Sequence, residues 1–295
     1  MFVVTGAGGF IGSVMVGYLN QIGCTDVIAV DDLNNPEQYK NLKGKKFTLL
    51  SQDEIENLIA YHKNNRIQAV FHFGAISDTL HKDWPSMYHK NVQSTRKWTN
   101  FCLNNNIPLV FASTAAIYGN GDGPLNQYAF SKEVSEQEIS KTAACLRLFN
   151  VYGPNEYHKG RMASTILHWY NQIQDTGSIK IFKDSDQYYR DFIWVEDVCR
   201  AFYHLYENFQ PGIYDLGTGR SESFERVARE LEKHVDQDVY FNYIDMPSDL
   251  AKQYQTDTKA NTDALTKTGF DVTLCRSLAE GIEDYVQFLK NGTYL

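Results

Sequence analysis

Three glycines spaced three apart, Gly6, Gly9 and Gly12, lie between a short apolar run, Phe2-Val3-Val4-Thr5, and the start of an amphipathic pattern. On a strand-to-helix turn each glycine has a physical task. One makes the tight turn, one lets the backbone approach a pyrophosphate, and one lets helix and strand pack closely. The helix N-terminus then presents its free N–H groups to the anion. The run opens the chain, follows a strand and precedes a helix, a context that predicts dinucleotide binding. Phe10 and Ile11 belong to the same turn and are assigned to the cofactor with the glycines.

The first half alternates between the two periodicities. Strands are predicted at 2–5, 26–31, 46–50, 68–72, 108–112 and 143–148, and helices at 11–22, 52–61, 84–105 and 127–142. Apolar strands separated by helices predict an α/β fold, a doubly wound parallel sheet of the Rossmann type. Ligands of such a sheet bind at the C-terminal ends of its strands. After residue 150 the texture changes, with helices predicted at 160–175, 195–208, 222–235 and 275–290 and shorter strands near 179–182, 192–194, 213–215 and 239–243. The expected division is a dinucleotide-binding domain over 1–150 and a smaller α/β substrate-binding domain over 151–295. Segments near 192–215 are expected to return to the main sheet.

Composition closes off several classes. A formal net charge of −8 argues against a general nucleic-acid binder. No apolar stretch approaches the roughly 20 residues of a membrane span, so neither partner type is expected. Five scattered cysteines with no Cys-x-x-Cys pair read as a reduced, cytoplasmic protein without a metal site.

The second strand ends on Asp31-Asp32, about 20 residues after the glycines, where a carboxylate holds a ribose 2′-hydroxyl. Two carboxylates repel a 2′-phosphate and tilt the cofactor towards NAD. Lys40, Lys43, Lys45 and Lys46 follow closely and keep NADP open. After the fourth strand, Phe73, Gly74, Ala75 and Ser77 would let the chain pass close to the cofactor, with Asn91 supporting them from the next helix.

The fifth strand runs into Ser113-Thr114, and fourteen residues after Thr114 comes Tyr128-Ala129-Phe130-Ser131-Lys132. Tyr128 and Lys132 are four apart on a predicted helix and share a face. An ammonium beside a phenol, or a positive nicotinamide nearby, would lower the tyrosine pKa from its usual value of about 10 and make Tyr128 a general base. Thr114 can donate a hydrogen bond to the same substrate oxygen.

With Arg147-Leu148-Phe149-Asn150-Val151-Tyr152-Gly153-Pro154, these motifs stand in the order found in the extended short-chain dehydrogenase/reductases that modify nucleotide sugars, and the chain resembles that family over nearly its whole length. Glu156-Tyr157-His158-Lys159-Gly160-Arg161-Met162-Ala163-Ser164 is similar to a stretch of the branch that acts at C6″ of ADP-glycero-manno-heptose. Arg190-Asp191-Phe192 and Leu216-Gly217-Thr218-Gly219-Arg220 add to the likeness. The resemblance implies an epimerase with a tightly bound NAD or NADP, regenerated each cycle, and a homo-oligomer. A sugar carbinol is oxidised to a ketone and re-reduced on its other face. The oxygen then lies elsewhere, so two acid/bases are needed, and the resemblance gives Tyr128 and Lys159. It also places Val151 at the cofactor and Asn150, His168, Phe182, Ser185, Arg190 and Tyr254 at a nucleotide-diphosphate sugar, and Arg161, in the same stretch as Lys159, is a candidate contact of this chain's own.

Three departures stand out. Asp32 and Gln38 replace residues that accompany NADP in the branch, Arg161 replaces a small serine, and the segment between Tyr118 and Tyr128 is short. Ala115-Ala116 replaces the Asp-Glu pair of the dehydratases, which disfavours elimination. A UDP-sugar 4-epimerase and a non-catalytic nucleotide sensor on the same fold remain as alternatives.

Overall fold

The computed structural model describes residues 1–52, 54, 58, 67–247 and 255–295. Its central sheet has strands β1 (Phe2–Thr5), β2 (Val27–Val30), β3 (Thr48–Leu50), β4 (Ala69–His72), β5 (Leu109–Thr114) and β6 (Ala144–Leu148), plus Gly212–Leu216. All neighbours are parallel. The spatial order places Gly212–Leu216 beside β6, then β5, β4, β1, β2 and β3. The chain therefore winds outward from β1 in one direction through β2 and β3, and in the other from β4. The crevice above β1 and β4 is the switch point at which open α/β sheets bind ligands. Strands β1, β2, β4 and β5 are buried throughout, as continuous apolar runs require when helices cover both faces, whereas Thr48 and Leu49 of the edge strand β3 are exposed.

Helix α1 (Phe10–Gln21) leaves the glycine turn, and the helix over Val195–Glu207 packs against it on the same face of the sheet. On the other face, Ser94–Asn105 and Gln127–Ile139 cover β4 and β5 around Trp98, Phe101 and Ile139. A π-helical turn, Tyr88–Gln93, interrupts the helical stretch of 84–105 and carries Asn91. The helix predicted at 52–61 falls mostly outside the described residues.

A second core lies beyond the sheet around Trp169, Ile173, Trp194, Leu231, Ile282 and Tyr285. Three small sheets belong to this half: Val151–Tyr152 with Ile193–Trp194, Ser178–Phe182 with Tyr240–Ile244, and Tyr189–Asp191 between Ser221–Ser223 and Asp257–Thr258. The helix predicted from 160 begins at Thr165. Ser164 caps it by accepting from Leu167 N–H, and Gly160, at φ 52°, breaks the 3₁₀ turn that precedes it. That displacement matters, because residues 157–162 form a wall of the site instead of a helix.

Candidate active site

The switch point opens into a cavity of about 580 Å³. Its floor is the glycine turn. Gly6 has φ +64°, and a Cβ there would sit 2.7 Å from the Gly74 backbone nitrogen, so the first and fourth strand ends touch. A Cβ on Gly12 would meet the Gly6 carbonyl at 2.1 Å. No side chain caps α1 and no acid lies in its first turn, which leaves its N–H groups to an anion. Phe10, Ile11, Phe73, Gly74, Ala75, Ser77 and Val151 line the same space.

Asp31 marks one end. Its carboxylate accepts from Gly8 N–H at 3.0 Å and Leu33 N–H at 2.8 Å, which ties the second strand to the glycine turn. Burial pushes its pKa up, and those two bonds hold it back. Both oxygens keep acceptor capacity for ribose hydroxyls. Asp32 accepts from Gln52 N–H at 3.0 Å, and Asn34, Asn35, Gln38 and Gln52 complete this end. These four neutral polar residues were not singled out from sequence as ligands. They stand just past β2 and β3, and proximity to a strand end was the signal that could have marked them. Lys40 pairs instead with Glu37, and Lys45 donates to the Asn41 and Leu295 carbonyls.

The other end holds the reactive groups. Gln127–Ile139 is capped by Asn126, which accepts from Ala129 N–H, and the cap sets Tyr128 in the first turn with Lys132 one turn on. Thr114 ends β5 opposite them, and all three line the cavity. The expected pairing of ammonium and phenol takes a different form here. The Lys132 ammonium donates to the Ala112 carbonyl at 2.7 Å and lies 4.4 Å from the Phe111 ring centroid, and burial pushes its pKa down to about 7. Burial likewise pushes the Tyr128 phenol up, against the Thr114 hydroxyl, which favours the phenolate. The residues of the protein alone therefore hold Tyr128 as the proton-bearing partner.

Lys159 faces the cavity from the 3₁₀ turn, its ammonium 5.4 Å from the Phe10 ring. Burial lowers its pKa, and Glu156 opposes the shift. Glu156 is itself buried, and accepts from Ser164 N–H and Oγ–H at 2.6 Å each and from Tyr285 O–H at 2.9 Å. Asn41 donates to the Gly8 carbonyl, the Asn155 carbonyl and His158 Nδ1, while Asn35 donates to the His158 carbonyl. These long-range bonds dock the turn on the glycine loop.

The remaining candidates lie at varied distances from this space. Asn150 lines the cavity and donates to the Asp191 carbonyl. Asn91 stands behind the wall, bonded to Ile76 and Ser131. Arg161 pairs with Asp78 at 2.5 Å across the rim, and His168 turns its Nε2 to the Arg161 carbonyl, off the cavity lining. Phe182 and Ser185 line a separate hollow of about 160 Å³ with Trp169, Tyr188 and Phe224. The Arg190 guanidinium lies over Phe224 and donates to the Tyr189 and Gln255 carbonyls. Tyr254 is outside the described residues. Among the described residues no cluster of His, Cys, Asp and Glu could hold a metal, and no helix is long and apolar enough to cross a membrane.

Comparison with known proteins agrees with this geometry. Residues 2–217 match the model of the NAD dependent epimerase/dehydratase family. The chain is 38% identical to an ADP-L-glycero-D-manno-heptose-6-epimerase of Brachyspira hyodysenteriae and 34% identical to one of Fusobacterium nucleatum, each match covering 100% of both chains. Among solved structures, the Helicobacter pylori ADP-L-glycero-D-manno-heptose-6-epimerase superposes with a TM-score of 0.84 at 24% identity, covering 98% of this chain and 96% of that one. A glycine cradle that a Cβ would fill, an uncapped helix and a ribose-side carboxylate suit a cofactor of the NAD type, and the chain belongs to the NAD dependent epimerase/dehydratase family.

Proposed function

We propose that this chain is an NAD-dependent nucleotide-sugar epimerase that inverts the C6″ carbinol of ADP-glycero-manno-heptose. One observation carries the reading. Thr114, Tyr128 and Lys132 share a cavity with a lysine on a different wall, Lys159. Inversion through a ketone needs proton exchange with an oxygen at two positions, and a single tyrosine serves only one. Tyr128 exchanges the proton at the first position, steadied by the Thr114 hydroxyl. Lys159, its pKa lowered by burial, exchanges it at the second. Asn150 holds the sugar between them. NAD, when bound, supplies the two-electron acceptor and a positive charge beside Tyr128 that favours the phenolate.

NAD is preferred over NADP on electrostatic grounds. Among the described residues the cavity cations are Lys90, Lys132 and Lys159, whereas the Asp31 end is lined by carboxylates and neutral amides. A 2′-phosphate there would face Asp31 and Asp32 with no lysine or arginine among the described residues lining that end to neutralise it.

Residues 1–150, with the strand Gly212–Leu216, are assigned to the dinucleotide, and the remainder to the sugar nucleotide. The aromatic hollow at Phe182, Ser185, Trp169 and Phe224 suits a nucleobase, with Arg190 beside it for the diphosphate.

The test is incubation with a panel of ADP- and UDP-sugars followed by NMR, with the protein's own cofactor released for mass spectrometry. Inversion of the ADP-heptose and a cofactor lacking the 2′-phosphate are expected. Inversion at C4 of a UDP-sugar alone would establish the rival epimerase. Absence of turnover with every sugar would leave the sensor.

A further inference from the structure

The fourth strand ends on a histidine that the chemistry above does not use. His72 is fully buried, its ring stacked 5.7 Å from Phe111 and tilted 6.2 Å from Trp98. Its Nδ1 lies 2.6 Å from Thr5 Oγ1 and its Nε2 3.0 Å from Thr95 Oγ1.

The donor roles follow by elimination. A carbonyl only accepts, so the single hydroxyl proton of Thr95 goes to the Asn91 carbonyl at 2.6 Å. Thr95 then meets His72 as an acceptor, and Nε2 must carry hydrogen. In a neutral ring Nδ1 is left to accept, and it takes the Thr5 hydroxyl proton. The Thr5 oxygen accepts in turn from Gly74 N–H at 3.0 Å. Every group is satisfied by one chain of bonds running in one direction, from Gly74 through Thr5, His72 and Thr95 to Asn91. A charged ring would aim a second N–H at the Thr5 oxygen and displace the Thr5 proton. Burial and the nearby Lys132 ammonium press the same way, and hold the imidazole pKa down at about 3.

Both ends of this chain reach the cavity wall. Gly74 lines the cavity and is the residue on which the Gly6 turn rests. Asn91 accepts from Ile76 N–H at 2.8 Å and donates to the Ile76 carbonyl at 3.0 Å and to Ser131 Oγ at 2.9 Å. Ser131 is the neighbour of Lys132 on the helix that carries Tyr128. We propose that His72, held as the neutral Nε2–H tautomer, is a positioning residue that sets the spacing between the cofactor-side loop 73–77 and the Tyr128–Lys132 helix. The functional part of this inference rests on the reading of the cavity given above.

The arms can be cut separately. His72→Asn places an amide oxygen near the position of Nδ1 and keeps the Thr5–Gly74 arm. His72→Gln places an amide N–H near the position of Nε2 and keeps the Thr95–Asn91 arm. His72→Phe keeps the ring and loses both. Loss of an arm leaves a buried polar group unpaired, which predicts about a tenfold effect. His72→Phe is expected to weaken NAD binding, measured without substrate, about tenfold, and to lower kcat about as much. His72→Asn should recover the affinity, and His72→Gln the kcat. Wild-type values in His72→Phe, or equal losses in all three variants, overturn the proposal. Nitrogen-15 NMR of the wild type decides it independently of variant folding, substrate and cofactor. A ring bearing hydrogen on Nε2 alone throughout the range where ordinary histidines titrate is expected, and an Nδ1–H or charged ring overturns the assignment. Wild-type protein that binds NAD but turns over no nucleotide sugar would sink the epimerase reading and leave the tautomer and affinity results standing.

Discussion

Two lysines face one cavity from unlike supports. Lys132 projects from a regular helix with its ammonium fixed on the Ala112 carbonyl, and is almost wholly buried at 3% exposure. Lys159 projects from a short 3₁₀ turn whose conformation depends on Gly160 and on anchors far away in sequence, Asn35, Asn41 and Tyr285. The first is set by a local rule, four residues along a helix. The second is set by tertiary contacts, and its wall can differ between relatives without disturbing the sheet. The fixed wall suits the invariant part of a redox cycle, and the separately anchored wall suits the part that distinguishes one sugar from another.

The comparison breaks most decisively at Tyr128. Tyr128→Phe removes the phenol proposed to exchange the proton on the fixed wall and should lower kcat by about 10³-fold or more, with NAD binding retained in a fluorescence titration. Near-wild-type turnover would show that the fixed wall carries no proton. Lys159→Met should cost about 10²-fold. The two losses should also differ in kind. Reduced nicotinamide should build up, by its near-ultraviolet absorbance, from one epimer in Tyr128→Phe and from the opposite epimer in Lys159→Met. If the same epimer is blocked in both variants, the walls do not have separate roles.

How far the sequence foretold each wall follows the same division. Periodicity located β1, β4 and β6 within a residue or so, because apolar strands between helices leave few alternatives, and the strand expected near 213–215 joins the sheet at Gly212–Leu216. Tyr128, Lys132 and Thr114 were legible because a helical spacing and a strand end place them without tertiary knowledge. The helix expected at 160–175 takes in the end of the 157–162 turn, since a break at Gly160 and a cap at Ser164 are weak local signals beside the apolar pattern that follows. The Lys132–Tyr128 pairing takes a form the spacing did not specify, for a related reason. A shared helical face brings two side chains near each other, but the Ala112 carbonyl, supplied by another strand, decides where the ammonium points. Asn41 and Glu156 were not distinguished from ordinary polar residues, because their importance comes entirely from partners remote in the chain.

Glu156 offers a smaller and more graded test of the anchored wall. Glu156→Gln keeps one acceptor oxygen and removes the charge that holds the Lys159 pKa up against burial. The sign is therefore downward. The limb of the pH–rate profile that reports Lys159 should move to lower pH. Donors from Ser164 and Tyr285 lose a charged acceptor, so unfolding in denaturant should show a loss of about 1–3 kcal/mol. An unmoved limb with the stability loss intact would reduce Glu156 to a structural anchor.

The rim gives the smallest expected effect. Arg161 and Asp78 join the anchored wall to the segment that follows the loop 73–77 through an ion pair whose side chains are 62% and 30% exposed. Exposed pairs contribute about 0–1 kcal/mol and weaken with salt, so Arg161→Ser should change the melting temperature by no more than about 2–4 °C. With the guanidinium engaged on Asp78 and outside the cavity lining, KM should stay within about threefold of wild type, a change worth under ~0.7 kcal/mol. Read from the sequence, a guanidinium in place of a small serine instead adds a substrate contact or narrows the pocket at this position. A KM raised by more than about tenfold, or ~1.4 kcal/mol, with the difference fading at high salt, would show that Arg161 leaves Asp78 to hold the diphosphate. Asp78→Asn separates the two roles, since it frees Arg161 from the rim and would tighten substrate binding if the guanidinium serves both partners, but leave KM unchanged if it serves the rim alone.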